Sequence, residues 1–157
     1  MLKKLKWVLL GFLSIGIIVL TFVVTLLNYA ETEVNALELY RLSVASLPEV
    51  DVVKQIHRFN GIESYIVAHV VVENGYDVYY FIYEDTVQHF FFASQLITEA
   101  EAHRIAQSQI IGGEIIRIQL GLLNEIPIFE VQVEADHFIY FIIINAQDGE
   151  VKMNFQI

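Results

Sequence analysis

From Trp7 to Leu27 the chain runs 21 residues without a charged side chain, and this run limits what the rest can be. At about 1.5 Å rise per residue a helix of that length spans roughly 31 Å, close to the ~30 Å hydrocarbon core of a bilayer. Lys3, Lys4 and Lys6 precede it, and Glu31 is the first acidic residue. Basic residues ahead of a span favour a cytoplasmic N-terminus. The pattern predicts a cytoplasmic tail at 1–6 and a single transmembrane helix at 7–27, with Trp7 and Tyr29 near its interfaces. The rest is then extracytoplasmic, on a single-pass protein of the cell membrane. A cleaved signal peptide is the competing reading, but its apolar region is usually about 7–15 residues. The only plausible cut, after Asn28-Tyr29-Ala30, also places a poorly suited asparagine three residues before it. Residues 28–36 contain no proline or glycine, so the membrane helix should continue into the helix that follows.

Charge divides at the same place. Residues 31–157 hold all 19 acidic residues and six basic ones (Arg41, Lys54, Arg58, Arg104, Arg117 and Lys152), a formal −13. Six scattered cations make no phosphate-binding stripe, so nucleic acid is not an expected partner. The absence of cysteine excludes disulfides, thiolate chemistry and a lipoprotein signal.

The exterior part repeats at a shift of 64 residues: Asn60 falls on Asn124, Ile62 on Ile126, Tyr65 on Phe129 and Val67 on Val131. Each half has the same order of elements. The first, 31–94, opens with a helix whose apolar face carries Val34, Leu37, Tyr40, Val44 and Leu47 and which ends at Pro48. Strands are expected at 52–59, 64–73, 78–84 and 87–93, with Asn60-Gly61 and Asn74-Gly75 as tight-hairpin pairs. The second, 98–157, opens on the capping box Thr98-Glu99-Ala100-Glu101. Its helix carries Ala102, Ile105, Ala106 and Ile110 and stops at Gly112 or Gly113. Strands follow at 114–122, 126–134, 137–145 and 150–156, with Asp148-Gly149 as the last turn. A helix followed by an antiparallel meander, twice, is an α+β class.

Tyr79, Tyr80, Phe81, Tyr83, Phe90, Phe91 and Phe92 crowd two adjacent strands, and 138–144 is apolar throughout. Strands apolar on both faces need cover on both faces. One side should pack on the first helix, and part of the other should meet the second domain or a partner. Tyr79, Tyr80, Tyr83, Phe90 and Phe92 are therefore the candidate interface residues.

Catalytic chemistry finds little support. None of His57, His69, His89, His103 and His137 has a histidine partner at metal-binding spacing. The serines lack a Gly-x-Ser-x-Gly elbow and a Ser-x-x-Lys pair. No phosphate loop follows Gly112-Gly113. Neither a catalytic residue nor a metal or cofactor is expected, and the chain reads as a non-enzyme.

The stretch Thr98-Glu-Ala-Glu-Ala-His-Arg-Ile-Ala, the strand Ile126-Pro-Ile-Phe-Glu-Val-Gln-Val and the turn Asn145-Ala-Gln-Asp-Gly-Glu-Val resemble a PepSY-type domain. With the anchor and the related first half, the whole chain resembles the TseB-like (YpmB) cell wall elongation regulators of Gram-positive bacteria. That resemblance implies two tandem cystatin-like domains outside the membrane. It also implies a regulatory, non-catalytic association with a transpeptidase penicillin-binding protein. Asn145 stands where the PepSY pattern commonly has aspartate. A PepSY-type module binding or inhibiting a secreted peptidase is the alternative.

The topology has a direct test. Protease added to intact protoplasts should digest residues 31–157, following the positive-inside rule. Release of the exterior part into the medium with Glu31 as its new N-terminus would show a cleaved signal instead.

Overall fold

The computed structural model describes the backbone of residues 2–156 and the side chains of residues 15–28 and 32–156. The expected anchors Trp7 and Tyr29 and the Lys3/Lys4/Lys6 cluster lie outside the described side chains. The chain separates into two compact units, Met1–Leu39 and Tyr40–Ile157.

The first unit is helical. It is the larger part of α1 (Leu2–Ala45), which runs through the neck at 28–36 without interruption. Successive residues Ile17, Ile18, Val19 and Leu20 are all exposed, as are Phe22, Val23, Val24, Leu26 and Leu27. A helix apolar on every side suits a hydrocarbon surround. Two threonines within it are satisfied by the helix's own backbone: the Thr21 hydroxyl donates to the Ile17 carbonyl (2.9 Å) and the Thr25 hydroxyl to the Thr21 carbonyl (2.8 Å), as backbone-bonded hydroxyls do in apolar surroundings. Among the described residues this is the one helix long and apolar enough to cross a membrane. Val34, expected on the buried face, is 65% exposed. It lies in the helical unit, N-terminal to the turns at which burial begins in the second.

The second unit is two four-stranded antiparallel meanders and a helix. The first sheet has the order β1 (Val50–Asn60), β2 (Ser64–Val72), β3 (Tyr76–Tyr83), β4 (Thr86–Phe92). The second has the order β5 (Glu114–Leu123), β6 (Ile126–Ala135), β7 (Phe138–Asn145), β8 (Val151–Gln156). Between them α2 (Glu99–Gln109) packs on β5 and β6. Its expected capping box is present: the Thr98 hydroxyl accepts from the Glu101 amide (3.2 Å), and a Glu101 carboxylate oxygen accepts from the Thr98 amide (2.8 Å). Gly112, at φ 81, takes the left-handed conformation just past α2. Small side chains let the helix sit close to the sheet, and Ala102 and Ala106 are fully buried with Val131, Val133, Ile142 and Ile144.

The first sheet is apolar on both faces, and alternation sorts its residues. Ile66, Ala68 and Val70 of β2 pair with Ile82, Tyr80 and Val78 of β3, and all six are buried on one face. Val44, near the end of α1, is buried too. The opposite face contributes Tyr65, Val67 and Phe81 to the core that contains Leu120, Leu122, Phe129 and Ile142 of the second sheet. One continuous core therefore serves both sheets.

The joint is the ring of Phe59 near the end of β1. A Cβ built on Gly121 of β5 would lie 2.4–2.5 Å from three of its ring atoms, and one on Gly61 would lie 2.7 Å from its Cε1. Gly61 was expected to supply the positive φ of a tight hairpin. Its φ is not positive, and a wider loop closes there with the Gly61 amide donating to the Glu63 carbonyl (3.2 Å). The glycine makes room for a ring instead. Asn74-Gly75 does adopt the left-handed pair, at φ 73 and 78.

Gly121→Ala in the full chain should cost about 1–3 kcal/mol through overpacking, and Phe59→Ala about 3–5 kcal/mol through the lost ring. The double variant should cost less than the sum, because without the ring the new methyl has space. Denaturation of the four chains in detergent measures this. Additive losses would show that the ring does not set the spacing.

Candidate functional site

Strand alternation also divides the five candidate residues. Tyr80 of β3 pairs with Phe90 of β4, and Val78 pairs with Phe92. Tyr80, Phe90 and Phe92 line a groove of about 350 Å³ whose other walls are Val72, Val78, Val87, Glu49 and Glu73. Tyr80 is buried, whereas Phe90 is 58% exposed. Phe92 holds the wall together, edge-on to Phe90 at 6.1 Å and to Tyr76 at 6.0 Å, and Tyr76 is itself exposed. Burial raises the Tyr80 phenol above its ordinary pKa, and the Glu49 carboxylate adds to the shift. The Glu73 amide donates to the Glu49 carbonyl at 3.0 Å. That bond sets two acidic residues side by side on the groove.

Tyr79 and Tyr83 point the other way. Tyr79 packs against the shared core and stacks on His69, with ring centroids 4.4 Å apart. His69 Nε2 lies 2.9 Å from Asp77 Oδ1, and Lys54 also pairs with Asp77. Lys54 holds the Asp77 carboxyl below its usual range. Tyr83 lines a separate cleft of about 530 Å³ with Tyr65, Glu63, Glu84, Glu125 and His89. Tyr65 donates its hydroxyl to Glu63, which with burial pushes the Tyr65 phenol up to about 12.

Two features that the residue pattern left unassigned are structural. His57 Nε2 sits 2.9 Å from the Leu120 carbonyl, two residues before Phe59 on the same side of β1. The Asn145-Ala-Gln-Asp-Gly turn satisfies itself: Asn145 Oδ1 accepts from the Gln147 amide (2.8 Å), and Asn145 Nδ2 donates to Asp148 (3.1 Å). Fully buried Ala146 donates its amide to Pro127 and accepts from Ile97. An asparagine meets these demands through one acceptor and one donor. The turn closes the second sheet over the segment leading into α2.

No family model matches the chain, and no curated protein does. Its fold is similar to the solved YpmB protein from Bacillus subtilis, with a TM-score of 0.65 and 17% identity over 76% of this chain and 96% of that one. A second chain, described as a putative lipoprotein from Clostridium difficile 630, gives a TM-score of 0.43 and 12% identity over 79% and 91%.

Two half-buried histidines, His57 and His69, make stability depend on pH. Burial lowers the His57 pKa, outweighing the opposing pull of the Leu120 carbonyl, and burial lowers His69 as well. The unfolded chain, with imidazoles near ~6.5, then takes up protons more readily than the folded one. Their contribution is complete above that value and is lost as pH falls through the folded pKa. Stability should drop between pH 7 and pH 5, and His57→Gln should flatten the drop without abolishing it. Denaturation midpoints across that range, with equal slopes for both chains, would remove His57 from the account.

Proposed function

We propose that this chain is a membrane-anchored, extracytoplasmic interaction protein that regulates cell wall elongation by binding a transpeptidase penicillin-binding protein. In this reading its two sheets belong to tandem cystatin-like domains, with the N-terminus in the cytoplasm. The chain acts by binding and not by catalysis. The observation that carries the reading is the groove of Tyr80, Phe90 and Phe92, with Phe90 more than half exposed. Aromatic side chains at the centre of an exposed apolar patch are the usual anchors of protein interfaces. The apolar N-terminal helix and the YpmB-like fold support the setting. The PepSY-type motifs and the resemblance to TseB-like regulators support the choice of partner.

Capture from membranes tests it. Phe90→Ala should weaken retention of the penicillin-binding protein by about 1–3 kcal/mol with a nearly unchanged melting temperature. Tyr80→Ala, which removes a buried ring, should instead cost about 3–5 kcal/mol of stability. Undiminished capture by folded Phe90→Ala chains would overturn the assignment of the groove.

A further inference from the structure

Resting on the reading of this groove as the partner-facing surface, we infer that its occupant is a protein segment presenting an apolar side chain next to a basic one, held by side-chain insertion and not by strand addition. The floor and wall, Val72, Val78, Tyr80, Val87, Phe90 and Phe92, match an apolar anchor. The remaining lining residues are Glu49 and Glu73, held adjacent by the bond between their backbones. No lysine or arginine is among the residues that line the groove, and around Glu73 the stretch from Phe59 to His103 has neither, while seven acidic residues fall in it. An apolar ligand gains from burial, and a cation beside it gains from carboxylates that have no competing charge on the groove.

The neighbouring sheet edge argues against the other way of docking. β4 is an edge strand, which ordinarily invites an added strand. Here Ile82 pairs with Val87 and Phe81 with His89, so Gln88 is an unpaired bulge residue in the middle of the edge. At its end the Phe92 amide is taken by the Gln95 side chain at 3.3 Å. A bulge and an occupied donor leave little continuous ladder for a partner backbone. A second copy of this chain would set acidic groove against acidic groove at a net charge of −10 each, and an anionic lipid surface would be repelled in the same way.

The test uses the full chain in nanodiscs of zwitterionic lipid and two blocked tetrapeptides, Arg-Leu-Phe-Arg and Glu-Leu-Phe-Glu, capped so that only side chains carry charge. The basic peptide should bind at least tenfold tighter. Phe90→Ala should abolish that binding, and the double variant Glu49→Lys/Glu73→Lys, whose changes lie on the surface, should reverse the preference. Equal binding of both peptides, or of neither, overturns the inference, as does a Phe90-dependent dimer in sedimentation. If the charge-reversed chain still captures the penicillin-binding protein while Phe90→Ala does not, the partner assignment stands and the charge rule fails. If the peptide preference holds while both variants capture that protein normally, the charge rule stands and the partner assignment fails.

Discussion

The ring of Phe59 occupies the space that side chains at Gly61 and Gly121 would need, and the exterior unit is organised around that contact. Gly121 lies within β5, near its C-terminal end, so the missing side chain lets two strands from different sheets approach. His57, two residues earlier and on the same side of β1, reaches the Leu120 carbonyl beside it. Two successive inward residues of one strand thus engage two successive residues of the other. Around this joint Tyr65, Val67 and Phe81 merge with Leu120, Leu122 and Phe129 into one core. The second face of the first sheet is thereby released from packing on the second sheet, and that is where the groove forms.

Local features of this fold were legible in the sequence. The eight strands lie within about two residues of the spans given by alternation and turn residues, a scatter normal for element ends. The capping box of Thr98 and Glu101 formed as its spacing implies, because both partners lie within one helical turn. Gly61 was not legible. Asn-Gly signals a tight turn wherever it occurs, and nothing local distinguishes a glycine needed for positive φ from one needed to admit a ring. The division of the aromatics was only half legible. Alternation places Tyr79 and Tyr83 opposite Tyr80 within β3, but the bulge at Gln88 resets the register of β4. Which residues of β4 would join Tyr80 could be read only once pairing was known.

The same limit applies to burial. Tyr79 and Tyr80 are neighbours of identical composition, yet one stacks on His69 beside the shared core and the other floors an open groove. The difference lies in what covers each face, which depends on the Phe59 joint and not on the strand itself. Site residues chosen for aromatic density alone therefore mix two surfaces: an outer apolar groove and, through Tyr83, a polar cleft rimmed by Glu63, Glu84 and Glu125.

Exposure of Phe90 has a cost. Leaving a large aromatic in water forgoes roughly 1.5–3 kcal/mol that burial would give, and such a patch invites aggregation when it flanks an open sheet edge. The chain blunts the second hazard, with a bulge at Gln88 and the Gln95 side chain on the Phe92 amide, while leaving the first in place. A surface shaped only for stability and solubility would have replaced the phenylalanine and had less need to guard the edge. Guarding the edge while keeping the ring is the combination expected where the ring itself must be met by another molecule. The two glutamates at the groove then restrict which molecules can do so.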